Sequence, residues 1–97
     1  MKLPALLSKA RGQSCVMCHA DDGTIVSAHS NLYEHGRGMG LKSHDGMTAW
    51  LCQRCHYELD HGNKMTKEEK KLFTLQAICK TYMELWKQEL ITTKGKK

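Results

Sequence analysis

The residues best able to do chemistry are four cysteines in two pairs. Cys15-x-x-Cys18 and Cys52-x-x-Cys55 are separated by 33 residues. Each pair can form a knuckle that turns two thiolates toward one ion, and two knuckles complete a tetrahedral four-cysteine zinc site. A single CxxC can be a redox dithiol. Two of them in a chain of 97 residues, too short to bury a large core unaided, read as structural zinc. Both pairs are followed by histidine, His19 and His56, so the string is also that of c-type haem attachment. That chemistry belongs to exported proteins. The apolar patch Leu3 to Leu7 is cut off by Ser8 and Lys9 before it could act as a signal segment. A reducing, cytoplasmic setting is therefore expected, with the cysteines as metal ligands rather than disulfides.

A second constellation is His29, Asp45, His56 and Asp60. His56 and Asp60 stand four apart, so on a helix both reach one face and can hold a divalent cation while leaving positions open for water and substrate. On spacing alone, Asp60 and His61 read equally well as polar residues at a helix end, and His29 as a turn residue. Arg37 lies within the glycine-rich run Gly36 to Gly40 and Lys42 just after it. Glycines there would let backbone approach phosphate, with the two cations on its oxygens; an ordinary surface loop has the same composition.

The elements that must position these groups follow from periodicity and turn residues. A basic lead covers 1–14, with Pro4 suited to a first helical turn and Gly12 to a stop. In 15–62, Thr24 to Ser27 and Met47 to Leu51 are β-prone runs after Asp-Gly turns, and His56 to His61 is a short helix ended by Gly62. Thr66-Lys67-Glu68-Glu69 is a capping box opening a long helix over 65–92. Along it Leu72, Leu75, Cys79, Tyr82 or Met83, Trp86 and Leu90 recur at three and four residues. That stripe is expected to be core, with Cys79 a buried thiol; whether it closes the monomer or builds a homodimer stays open. The pattern describes one small α+β domain stapled by zinc.

The formal charge of +5 is unevenly spread. The lead carries +3 and residues 62–97 carry +5, whereas 15–61 carry −3. An acidic, cation-collecting module between basic flanks suits a nucleic-acid partner gripped through phosphate. No apolar run is long enough for a membrane helix.

Ala10-Arg11-Gly12, Cys15-x-x-Cys18, Ala28-His29, Gly38-Met39-Gly40-Leu41-Lys42 with Asp45, and Cys52-x-x-Cys55-His56-x-x-Leu59-Asp60 occur in this order. In these residues the chain resembles the zinc-stapled HNH (His-Me finger) nuclease superfamily, and more closely the small prophage-encoded nucleases of the YbcO type. The resemblance covers roughly 9–62 and weakly the last helix. It implies a ββα-metal fold and a DNA endonuclease. His29 would be the general base, and Asp45 would orient its imidazole. His56 and Asp60 would hold a catalytic Mg2+ or Mn2+, with His61, His35, His44 or His29 itself as candidates to add, and the four cysteines would hold structural zinc. Two positions depart from the family pattern. Asp45 stands where the motif has Asn, and Ala28 stands where many members carry a metal-binding residue. A catalytically inactive zinc module that binds nucleic acid or a phage or host protein is the other reading.

Overall fold

The computed structural model describes residues 3–32 and 44–91. Its elements are helix α1 (Pro4–Leu7), a 3-10 turn (Ser8–Ala10), strands β1 (Val26–His29) and β2 (Thr48–Leu51), and helices α2 (Gln53–His61) and α3 (Lys67–Lys87). The result is a small α+β structure with a two-stranded antiparallel sheet and a long C-terminal helix. In the sheet Val26 faces Leu51, Ser27 faces Trp50, Ala28 faces Ala49 and His29 faces Thr48.

The lead folds as its punctuation indicates. Pro4 occupies the first helical turn, and Gly12 ends the segment at φ +76°, a left-handed conformation that costs glycine nothing. β1 begins two residues later than its composition suggested and takes in His29, so the histidine is part of the strand rather than beyond it. β2 is buried along its whole length. Trp50 turns its backbone away from β1. Its carbonyl accepts from Val16 N–H at 3.1 Å, and its N–H donates to Thr81 Oγ1 at 3.0 Å. The first cysteine knuckle and α3 are thereby both tied to the same strand.

α2 starts earlier than expected because Cys52 caps it, its sulfur accepting from Cys55 N–H at 3.5 Å. α3 opens on the capping box: Thr66 Oγ1 accepts from Glu69 N–H, and Glu69 Oε1 accepts from Thr66 N–H. It ends short of residue 92 in a Schellman arrangement. Glu89 adopts φ 57°, Leu90 N–H reaches back to Leu85 O at 2.8 Å and Glu89 N–H to Trp86 O at 3.1 Å. With Glu rather than Gly in the left-handed position, composition did not mark that end.

The face of α3 that meets the sheet also differs from expectation. Thr74, Ala77, Ile78, Thr81 and Leu85 are buried, while Leu72, Leu75, Met83, Trp86 and Cys79 are exposed. Cys79 is thus not a buried thiol. Thr74 and Thr81 can face the core because their hydroxyls donate back to Lys70 O and Ala77 O. Together with Ala77 they keep the helix slim where it approaches β2. Thr81→Val keeps this shape but leaves Trp50 N–H without its acceptor. The expected loss is about 1–3 kcal/mol in denaturant unfolding, largely restored by Thr81→Ser.

Candidate functional site

The first knuckle is shaped by backbone bonds: Cys15 N–H donates to Ala20 O and His19 N–H to Cys15 O, both at 2.9 Å. His19 sits in the left-handed region at φ 66° and is exposed beside the knuckle. The second knuckle is the junction of β2 and α2, with Cys52 at the helix cap and Cys55 in its first turn. The ligand atoms of Cys15, Cys18, Cys52 and Cys55 all lie within 4.8 Å of one another, and Cys18 Sγ is 3.5 Å from Cys52 Sγ. A tetrahedron of ~2.3 Å metal–sulfur bonds has edges of about 3.8 Å, so the four thiols are positioned to bind one metal ion. Two haems would instead require the two pairs to face two separate porphyrins.

The thiols are unequal without metal. The backbone N–H of Ala20 holds Cys18 down to about 6, whereas burial pushes Cys52 and Cys55 up. The Cys18 side chain in turn pushes the pKa of the Arg54 guanidinium up. A cation that deprotonates all four thiols relieves that burial cost, as zinc does.

The structure brings His29 and Asp45 together: Nε2 of the imidazole is 2.8 Å from Asp45 Oδ1. The other carboxylate oxygen accepts from Leu3 N–H at 2.6 Å. The turn carrying Asp45 is fixed from three sides. Thr48 Oγ1 donates to Asp45 O, Gly46 N–H donates to His44 Nδ1, and Tyr82 Oη donates to Gly46 O. His56 Nε2 lies 3.1 Å from Asp60 Oδ2 across one turn of α2. Asn31, two residues beyond His29, donates its side-chain amide to Asp60 Oδ1 at 2.7 Å and so links the end of β1 to α2.

These four residues do not form one cluster. Among the described residues only the cysteines bring three or more ligand atoms within 4.8 Å. His56 and Asp60 line a groove of about 380 Å³ with Val26, Tyr57 and His61. His29 is not among the residues that line this groove, and Ser27, two residues before it, donates its hydroxyl to Leu7 O. His61 is packed against the Tyr57 ring, with centroids 5.3 Å apart. His35, Arg37, Lys42 and the glycine-rich loop lie outside the described residues. Two positioning groups escaped the sequence reading. Leu3 acts through its backbone N–H, which leaves no mark on residue type, and Asn31 reads as one more polar residue after a strand.

The His29 imidazole and Leu3 N–H hold the Asp45 carboxyl below its ordinary value of 3.8. A carboxyl depressed in the folded state stabilises it above about pH 4 and loses that contribution as pH falls through its folded value. Acid titration of the zinc-loaded protein by NMR should show Asp45 titrating below 3.8, and Asp45→Asn should remove that component of acid unfolding.

No helix among the described residues is long and apolar enough to cross a membrane. Comparison with curated proteins and with solved structures gave no match. A family model described as "Putative nuclease YbcO" matches residues 4–90, which takes in both knuckles, the sheet and all of α3. With nearly the whole chain matched, the protein belongs to the YbcO nuclease family.

Proposed function

We propose that this protein is a metal-dependent DNA endonuclease of the HNH type, encoded by a prophage, acting as a single domain. In it a ββα unit carries the chemistry and a zinc-filled four-cysteine centre holds that unit together. The observation that carries the reading is the His29–Asp45 contact at 2.8 Å at the end of β1. With the Asp45 carboxylate accepting from Nε2–H, the neutral tautomer leaves Nδ1 as a lone pair able to take a proton from water. Asp45 also steadies the imidazolium that results, and Leu3 N–H and Tyr82 keep Asp45 in place.

His56 and Asp60 fit the second requirement. Their 3.1 Å separation is close to the ~3.0 Å between neighbouring ligands in an octahedron of ~2.1 Å bonds. Mg2+ or Mn2+ bound there would supply charge to the phosphorane and to the departing 3′ oxygen. Two protein ligands are few, in keeping with Ala28 where a third often stands and with a cation that keeps most of its waters. Asn31 steadies Asp60 and connects the cation ligands to the strand that ends in the base. Arg37 and Lys42 are assigned to phosphate contact, and the basic lead and tail to sequence-independent grip.

The test is incubation of zinc-loaded protein with supercoiled plasmid and Mg2+ or Mn2+, beside His29→Ala. Nicking by the parent and not the variant supports the enzyme. DNA binding by both with no metal-dependent nicking assigns the chain to the non-catalytic module instead.

A further inference from the structure

We propose that the outer face of α3 is an isologous, antiparallel interface between two copies of this chain, with Cys79 at the two-fold axis. Among the described residues the face is apolar and unpartnered. Leu72, Met83 and Trp86 are 57%, 68% and 46% exposed, Leu75 is exposed as well, and Cys79 lies between them. At 100° per residue these five side chains fall within about 80° of arc, on the opposite side of the helix from Ala77, Thr81 and Leu85. No Lys or Arg lies within that arc; Lys80 and Lys87 border it on one side.

The spacing identifies the occupant. From Leu72 the steps are three, four, four and three residues, which reads the same from either end about Cys79. The structure decides this by turning Met83 outward while Tyr82 is partly buried with its hydroxyl on Gly46 O. Laid antiparallel on itself, the stripe sets Leu72 against the partner's Trp86, Leu75 against the partner's Met83, and Cys79 against its own copy. A surface that complements itself under a two-fold rotation is what a closed dimer requires.

Charge agrees with this register. Glu69 and Lys87 are 18 residues apart, five full turns, so both flank the same side of the seam. In the antiparallel pair Glu69 comes within about 3 Å along the axis of the partner's Lys87, and the reverse pair repeats it. The only neighbour Lys87 otherwise meets in its own helix is Glu84, at 3.4 Å on the surface. A seam of about four turns buries on the order of 1,000 Å², the low end for specific association, so a micromolar dimer is expected.

Sedimentation of the zinc-loaded full chain should show a concentration-dependent shift toward twice the 11.0 kDa monomer mass. Leu75→Glu or Trp86→Glu, both at exposed positions, should weaken it by about tenfold or more while far-UV circular dichroism and zinc content stay unchanged. Lys87→Glu, which sets like charges together, should weaken it a few-fold. A short bis-maleimide should crosslink the parent and not Cys79→Ser. A parent that stays monomeric at every concentration, a dimer indifferent to both glutamates, or crosslinking that survives Cys79→Ser would each overturn the proposal.

Discussion

Stripping the metal from the four-cysteine centre should unfold the chain rather than merely loosen one end of it. Cys15 and Cys52 are almost completely buried and belong to the core, where Val16, Trp50 and Leu51 surround them. The centre joins a segment that has little regular structure of its own to the β2–α2 junction. Without it the first knuckle keeps its core packing and backbone bonds such as Val16 N–H to Trp50 O. Structural zinc sites contribute roughly 10–16 kcal/mol of apparent binding free energy. A domain of this size is stable by about 5–15 kcal/mol in total. The metal term is therefore comparable to the whole margin. Chelation, or Cys52→Ser, should abolish the cooperative thermal transition, with α3 surviving at best as a marginal helix of 21 residues. Metal analysis should give one zinc per chain for the parent and for Cys79→Ser. A chelated protein that still melts cooperatively within a few degrees of the loaded one would remove the structural role assigned to the centre.

His29→Ala should lower kcat for plasmid nicking by about 10²–10⁴ while leaving KM and zinc content nearly unchanged. The separation is expected because His29 is half-buried at a strand end and its side chain meets Asp45 rather than the apolar core. Asp45→Ala should retain the imidazole but lose its orientation, at a cost of about 10–100-fold. Equal nicking by parent and His29→Ala, with both folded and zinc-loaded, would falsify the assignment of the base.

How much of this was legible beforehand differs residue by residue. The clustering of the four cysteines was, because CxxC spacing constrains two thiolates through a few backbone torsions whatever surrounds them. So was the start of α3, since Thr66 and Glu69 satisfy orphan donors within a single turn. The pairing of Asp45 with His29 was legible only through family resemblance. The two residues are 16 apart and meet across the sheet register that sets His29 opposite Thr48. The end of α3 was not, because a glutamate takes the left-handed cap that glycine usually signals.

The face of α3 was misread for a physical reason. Leucine, methionine and tryptophan at three- and four-residue spacing report only that a helix has an apolar side. Residue type cannot say which neighbour covers that side. Thr74 and Thr81 looked polar, yet each returns its hydroxyl to the preceding turn and can then be buried. The sequence by itself determined the two cysteine pairs that cluster, the order of the elements and the opening cap of α3, all of them consequences of groups within a turn or a knuckle of each other. Only the tertiary structure decided that β2 takes the slim threonine–alanine face. Close approach to a fully buried strand favours small side chains and an acceptor for Trp50 N–H, and that leaves the large apolar residues facing outward.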